Sequence, residues 1–122
     1  MTRFNVSSGS PFEDTVGYSR AVRVGPFVAV AGTTAAGADL AAQTRAAFAR
    51  VEQALAETGA ALSDVVRTRM YVTDISHWDV VGAIHSELFG DIRPVATMVE
   101  VSALISPDLL VEIEVDAYVS EA

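Results

Sequence analysis

The segment Arg93-Pro94-Val95-Ala96-Thr97-Met98-Val99-Glu100-Val101 and, ten residues on, Val111-Glu112-Ile113-Glu114-Val115-Asp116-Ala117-Tyr118 decide how this chain folds. Both are short, largely apolar and rich in β-branched residues, which is the composition of sheet strands. The connection between them holds Ser106-Pro107-Asp108, in which Pro presets φ and Asp bonds local backbone, so it reads as a turn. Side chains alternate along a strand. The second segment therefore sends Val111, Ile113, Val115 and Ala117 to one face and Glu112, Glu114, Asp116 and Tyr118 to the other. Three carboxylates on one strand face repel one another, so that face needs water, partners or a function.

Working outward, Val65 to Val72 reads as another strand, with Val66, Thr68, Met70 and Val72 on one face and Arg67, Arg69 and Tyr71 on the other. Tyr18 to Val24 and the wholly apolar Phe27 to Ala31 flank the turn signal Gly25-Pro26 and read as a hairpin. Phe4 to Val6 reads as a short edge strand, followed by a loop over Ser7-Ser8-Gly9-Ser10-Pro11. Between the strands lie two helical patterns. Asp39 is an N-cap for a helix to about Glu57, with Leu40, Thr44, Phe48, Val51 and Leu55 as its buried stripe and Gly59 at the C′ position. Ser76 and Asp79 have capping-box spacing ahead of a helix from about His77 to Phe89, with Val81, Ile84 and Leu88 inward and Gly90 closing it. The order ββαβαββ predicts a two-layer α+β domain spanning 1–122, with both helices on one face of the sheet. The other face, apolar in places, is the natural oligomer surface.

Composition narrows the function. The hydrophobic fraction of 51% and mean hydropathy of +0.35 are those of a globular chain with apolar surface to spare for another subunit. Only 8 basic residues face 16 acidic ones, for a net charge of −8, and no basic run appears. Nucleic-acid binding, which draws its affinity from Lys and Arg on phosphates, is disfavoured. There are no cysteines, which excludes disulfides, thiolate nucleophiles and Cys-ligated metals. No apolar run reaches the roughly 18 residues of a membrane span. Met1-Thr2-Arg3-Phe4 lacks a signal-peptide core, so the expected location is cytoplasmic.

Familiar catalytic patterns are missing. His77 and His85 are eight positions apart on one helix, about 12 Å of rise, too far for one metal ion. There is no Gly-x-Ser-x-Gly elbow, phosphate loop or dinucleotide fingerprint. Gly32-Thr33-Thr34-Ala35-Ala36-Gly37 reads either as a connector or as a loop that lets a ligand approach the backbone. Glu100, Glu112 and Glu114 are either a solvated strand face or the source of a general base in a pocket between subunits. Physical reading of the residues leaves both pairs open.

Tyr18-Ser19-Arg20-Ala21-Val22-Arg23-Val24-Gly25, Ala31-Gly32-Thr33, Val72-Thr73-Asp74-Ile75, Val99-Glu100-Val101 and Val111-Glu112-Ile113-Glu114 resemble, in order, the Rid family. This is the reactive intermediate deaminase or YjgF-like family, historically labelled a liver endoribonuclease group. The resemblance implies a chorismate-mutase-like fold, a homotrimer and ligand pockets between subunits, with no metal or organic cofactor. In deaminating members an enamine or imine is hydrolysed to a keto acid and ammonia, with an Arg clamping the substrate carboxylate and a glutamate positioning water. By that resemblance Glu112 is the catalytic position, and Tyr18, Gly32, Thr33 and Thr97 belong to the substrate pocket.

The Arg position falls on Ala96, in Pro94-Val95-Ala96-Thr97. A charge-assisted hydrogen bond contributes about 1.5–3 kcal/mol, so its loss costs roughly 10- to 100-fold in affinity for a carboxylate. Arg93 stands at an odd step from Ala96, and only a bulge or bend at Pro94 brings it round to replace the clamp. Rescue by Arg20 or Arg69 would have to cross a subunit boundary. The expectation is a Rid-like homotrimer that binds a small metabolite and hydrolyses an imine or enamine other than 2-aminoacrylate. The alternative is a ligand-binding or regulatory trimer without chemistry; ribonuclease activity is disfavoured by the acidic balance.

Overall fold

The computed structural model describes residues 2–120; residues 1, 121 and 122 of the expected span lie outside them. The elements are β1 (Arg3–Val6), α1 (Pro11–Val16), β2 (Ala21–Val24), β3 (Phe27–Thr33), α2 (Leu40–Glu57), β4 (Val65–Val72), α3 (Trp78–Phe89), β5 (Val95–Glu100) and β6 (Val111–Tyr118). They form one six-stranded sheet in the order β1-β2-β3-β6-β4-β5. Only β4 and β5 pair in parallel, because α3 carries the chain back between them; the other pairings are antiparallel.

The last strand lies at the centre, between β3 and β4. Val111, Ile113, Val115 and Ala117 are buried, and α2 covers them with Thr44, Ala47, Phe48, Val51 and Leu55. Burying a side chain such as Leu55 contributes about 1.5–3 kcal/mol. The α2 start is set by Asp39, whose carboxylate accepts from the Ala42 N–H at 2.9 Å. Its end is set by Gly59, at φ +84. Both helices pack on one face, and α3 meets α2 through edge-on contacts of Phe48 with Phe89 and His85.

Several local readings are corrected. A short helix, α1, follows the Ser7–Ser10 loop; Ser10 Oγ accepts from the Phe12 N–H, and Pro11 sits at the first turn, where its missing N–H costs nothing. The expected strand from Tyr18 begins only at Ala21, and Gly32-Thr33 are the end of β3 rather than a loop. In β4 the buried set is Val65, Thr68, Met70 and Val72, while Val66 is half exposed. The register slips between Val65 and Arg67 against β6, and such a bulge turns the intervening residue over. The Ser76–Asp79 capping box does not form. Asp74 instead caps a 3-10 turn over Ile75–His77 that leads into α3, accepting from the Ser76 N–H at 3.0 Å and the Ser76 hydroxyl at 2.6 Å. Arg93-Pro94 lies outside β5; Gly90 closes α3 as read, its N–H donating to Ser86 O at 2.8 Å, and Arg93 takes the left-handed conformation beyond it, at φ 57.

No helix in the described residues is long and apolar enough to cross a membrane. The sheet face away from the helices is uncovered. It carries Phe27, Val95, Val99 and Tyr118, all exposed, along with the carboxylates of β6.

Candidate functional site

On that uncovered face β4 and β6 lie side by side, so two of the three carboxylates anticipated on β6, Glu114 and Asp116, meet the arginines of β4. Arg67 approaches Asp116 at 3.7 Å, and Arg69 bridges Asp116 at 3.5 Å and Glu114 at 3.7 Å. The Tyr71 hydroxyl donates to the Glu114 carboxylate. That bond, with desolvation, pushes the Tyr71 phenol above its usual pKa. Most of the repulsion read from sequence is thus neutralised in an ionic ladder.

Glu112 stands apart from the ladder. Its carboxyl is pushed above the usual carboxylate range by burial first and by the Glu114 charge second, with Arg20 opposing; no hydrogen bond contributes. It lies over Gly32, where a built Cβ would come 2.9 Å from Glu112 Cδ. The glycine is thus required by close approach of a side chain, at a point where β3 slips register against β6 between Val30 and Thr33. Arg20 secures the same bend: its Nη2 donates to Gly32 O at 2.9 Å and its Nη1 to Thr33 Oγ1 at 3.1 Å. Arg20 Nε is buried without a partner among the described residues.

Gly32 and Glu112 open onto a shallow cleft of about 330 Å³, lined also by Tyr71, Glu114, Val101, Ala103 and Leu104. The apolar wall belongs to the β5–β6 connection. Buried Gln43 of α2 pins that connection, donating to Asp108 O at 2.9 Å and accepting from the Leu110 N–H at 2.8 Å. A larger hollow, about 470 Å³, lies elsewhere between Ser7–Ser10 and Arg20, Arg50, Gln53 and Glu57. The smaller cleft is the better candidate because it holds a carboxyl raised toward the working range of a general base.

Of the residues expected at the site, Glu112 and Gly32 come together. Thr33 is buried beneath them, its hydroxyl donating to Ala31 O at 2.8 Å. Tyr18 is partly buried after α1 and does not line the cleft. Thr97 pairs with Arg69, and so shares the uncovered face, whereas Ala96 pairs with Thr68 on the opposite side of the edge strand. Arg93 turns back, its Nε donating to Gly90 O at 2.9 Å. Tyr71 is not among the expected site residues; Glu114 is there as a candidate base and Arg20 as a candidate replacement for the clamp. Alternation placed Tyr71 beside Arg67 and Arg69, but only the β6–β4 pairing brings it to Glu114. Among the described residues no three His, Asp or Glu side chains are grouped as a metal site.

The six-stranded sheet backed by helices is a fold shared with known proteins. The Endoribonuclease L-PSP family model matches residues 10–119, and the chain belongs to that family, also known as the YjgF or Rid family. Over 97% of this chain and all of the other, the fold matches Rv2704 from Mycobacterium tuberculosis, a member of the YjgF/YER057c/UK114 family, with a TM-score of 0.95 and 67% identity. An uncharacterized protein of Streptomyces coelicolor is 42% identical over 93% of this chain and 90% of its own length. A RutC family protein of Pyrococcus abyssi is 35% identical over 83% of this chain and 85% of its own. The family and the fold expected from the sequence are therefore confirmed, and membership supports a role with small molecules.

Proposed function

We propose that the protein is a homotrimer, folded as a single domain, whose clefts between subunits bind a small metabolite and hydrolyse an imine or enamine other than 2-aminoacrylate. The observation that carries this reading is Glu112: a half-buried carboxyl over Gly32, raised in pKa and facing an open cleft. In this scheme its carboxylate orients a water and takes a proton as the water oxygen bonds to the C=N carbon. The C=N pair moves to nitrogen, which takes that proton and then the second proton of the water, and the C–N bond breaks as the C=O bond forms, releasing ammonia and a carbonyl compound.

The homotrimer is supported by the uncovered sheet face with its exposed Phe27, Val95, Val99 and Tyr118. It is also supported by the separation of Tyr18, Ala96, Thr97 and Arg93 from the cleft of their own chain. A neighbouring copy would have to complete the pocket with them. The test is ammonia release from a panel of freshly generated imines, comparing wild type with Glu112→Ala. Equal rates across the panel would remove Glu112 from the mechanism.

A ligand-binding or regulatory trimer without turnover is the second reading, favoured by Ala96 in place of a substrate-clamping arginine. Tight binding in a thermal-shift screen with no ammonia release would select it. Ribonuclease action is disfavoured by two carboxylates on the cleft and no cation on its lining.

A further inference from the structure

We infer that the cleft selects a small organic cation, a protonated nitrogen carrying a short aliphatic group, over a carboxylate. The inference rests on the reading of this cleft as the ligand site. Its polar lining is Glu112, Glu114 and the Tyr71 phenol, and its opposite wall is Val101, Ala103 and Leu104. Among the described residues Glu112 has neither a hydrogen bond nor an ion pair to offset its burial. A cationic N–H would supply both, while the aliphatic wall removes a short hydrocarbon chain from water. An anion would meet the Glu112 carboxylate, while the charge of Arg69 beside it is already taken up by Glu114 and Asp116.

A neighbouring copy has little free positive charge with which to reverse this sign. Every basic residue of the chain is an arginine, and a second copy brings only the same eight. Arg67 and Arg69, on the face of the cleft, are held by Asp116 and Glu114. Arg20 is turned to Gly32 O and Thr33 Oγ1 and does not line the cleft. Four more hold acceptors elsewhere, on Asn5, Gly25 and Thr58, Glu87, and Thr34. Arg93 is bound through Nε alone and keeps its terminal nitrogens, so it is the arginine to test.

For hydrolysis the same logic assigns a protonated imine as the substrate form. One iminium ion and one water give one ketone or aldehyde and one ammonium ion. The water oxygen becomes the carbonyl oxygen, and both water protons pass to the departing nitrogen. The positive charge is on nitrogen in both the substrate and the product, where the unpaired Glu112 carboxylate stabilises it.

Binding of n-butylammonium and of butyrate to the intact protein, followed by calorimetry and amide chemical shifts near neutral pH, tests the inference. Butylammonium is expected to shift resonances of Gly32, Tyr71 and Leu104 and to bind roughly 10- to 100-fold more weakly to Glu112→Gln. Arg45→Gln serves as the control, and Arg93→Ala should leave the preference for butylammonium over butyrate in place. Binding of wild type should also weaken as pH falls through the titration of Glu112, a readout independent of any variant's folding. Butyrate binding as tightly as butylammonium, a loss of butyrate binding in Arg93→Ala, or ammonium binding indifferent to both Glu112→Gln and pH would overturn the inference. Ammonia release is assayed separately. Cation binding without turnover would remove the hydrolase reading alone, and turnover of anionic imines in preference to cationic ones would remove the cation inference alone.

Discussion

The carboxylate of Glu112 occupies the space that a side chain at position 32 would need: a Cβ on Gly32 would overlap Glu112 Oε2 and stand 2.9 Å from Cδ. Gly32 does not have a positive φ, so its backbone accepts other residues. What it protects is the position of the carboxylate. Gly32→Ala should fold with a stability change within about 1.5 kcal/mol, the scale of an off-rotamer side chain. It should nevertheless lose ligand binding or turnover as fully as Glu112→Ala does. Chemical denaturation beside an activity or binding assay checks this, and a fully functional Gly32→Ala would show that Glu112 need not lie there.

Glu112 also predicts a pH dependence. Burial and Glu114 raise its pKa above the unfolded value. Its contribution to stability is therefore fully present below the unfolded pKa and is lost as pH rises through the folded one. Urea denaturation should find Glu112→Gln at least as stable as wild type at pH 7, the advantage shrinking as pH falls and gone below the unfolded value of about 4.5.

Glu13 carries the opposite sign. Hydrogen bonds from the Ser8 hydroxyl, the Ser7 hydroxyl and the Ser8 N–H, at 2.6, 2.7 and 2.9 Å, lower its pKa to about 2. Stability from this carboxylate is present above its unfolded value of about 4.5 and is lost as pH falls through about 2. Glu13→Gln should reduce amide protection at Ser8 at neutral pH, and the difference from wild type should close near the acid end. Proton exchange and a direct NMR titration of Glu13 measure both.

Arg93 has the one left-handed non-glycine backbone among the described residues, at φ 57. A β-branched side chain is costly there, so Arg93→Val should destabilise by about 1–2 kcal/mol, while Arg93→Asn should come close to wild type. Denaturation midpoints separate the two variants. Equal losses would assign the effect to the Nε bond with Gly90 O rather than to the backbone.

Gln43 links α2 to the apolar wall of the cleft through Asp108 O and the Leu110 N–H. Gln43→Leu removes both partners and should cost about 1–3 kcal/mol for each backbone group left unsatisfied. Faster hydrogen exchange at Leu110 and weaker ligand binding should accompany it. A stability loss with the cleft unchanged would confine Gln43 to a structural role.

Where burial follows the local period, the sequence was sufficient. The alternation of β6, the three- and four-residue spacing of α2 with Asp39 and Gly59 at its ends, and the hairpin around Gly25-Pro26 all reflect short-range forces. So does α1, since Ser10-Pro11 and Glu13 spell a helix start inside what reads at first as loop. The ordered family motifs point to Glu112 and Gly32, and the cleft contains both. Other features depend on which strands become neighbours. Val66 turns outward because β4 slips against β6, and Tyr71 reaches Glu114 only because those two strands pair. Arg20 reaches the Gly32 carbonyl across the β2–β3 hairpin, where Ala21 pairs with Val30 and the Ala31 N–H donates to Arg20 O. The environment of Glu112 is likewise tertiary: a carboxyl's identity is written in the chain, but its pKa depends on the solvent it loses and the charges brought beside it.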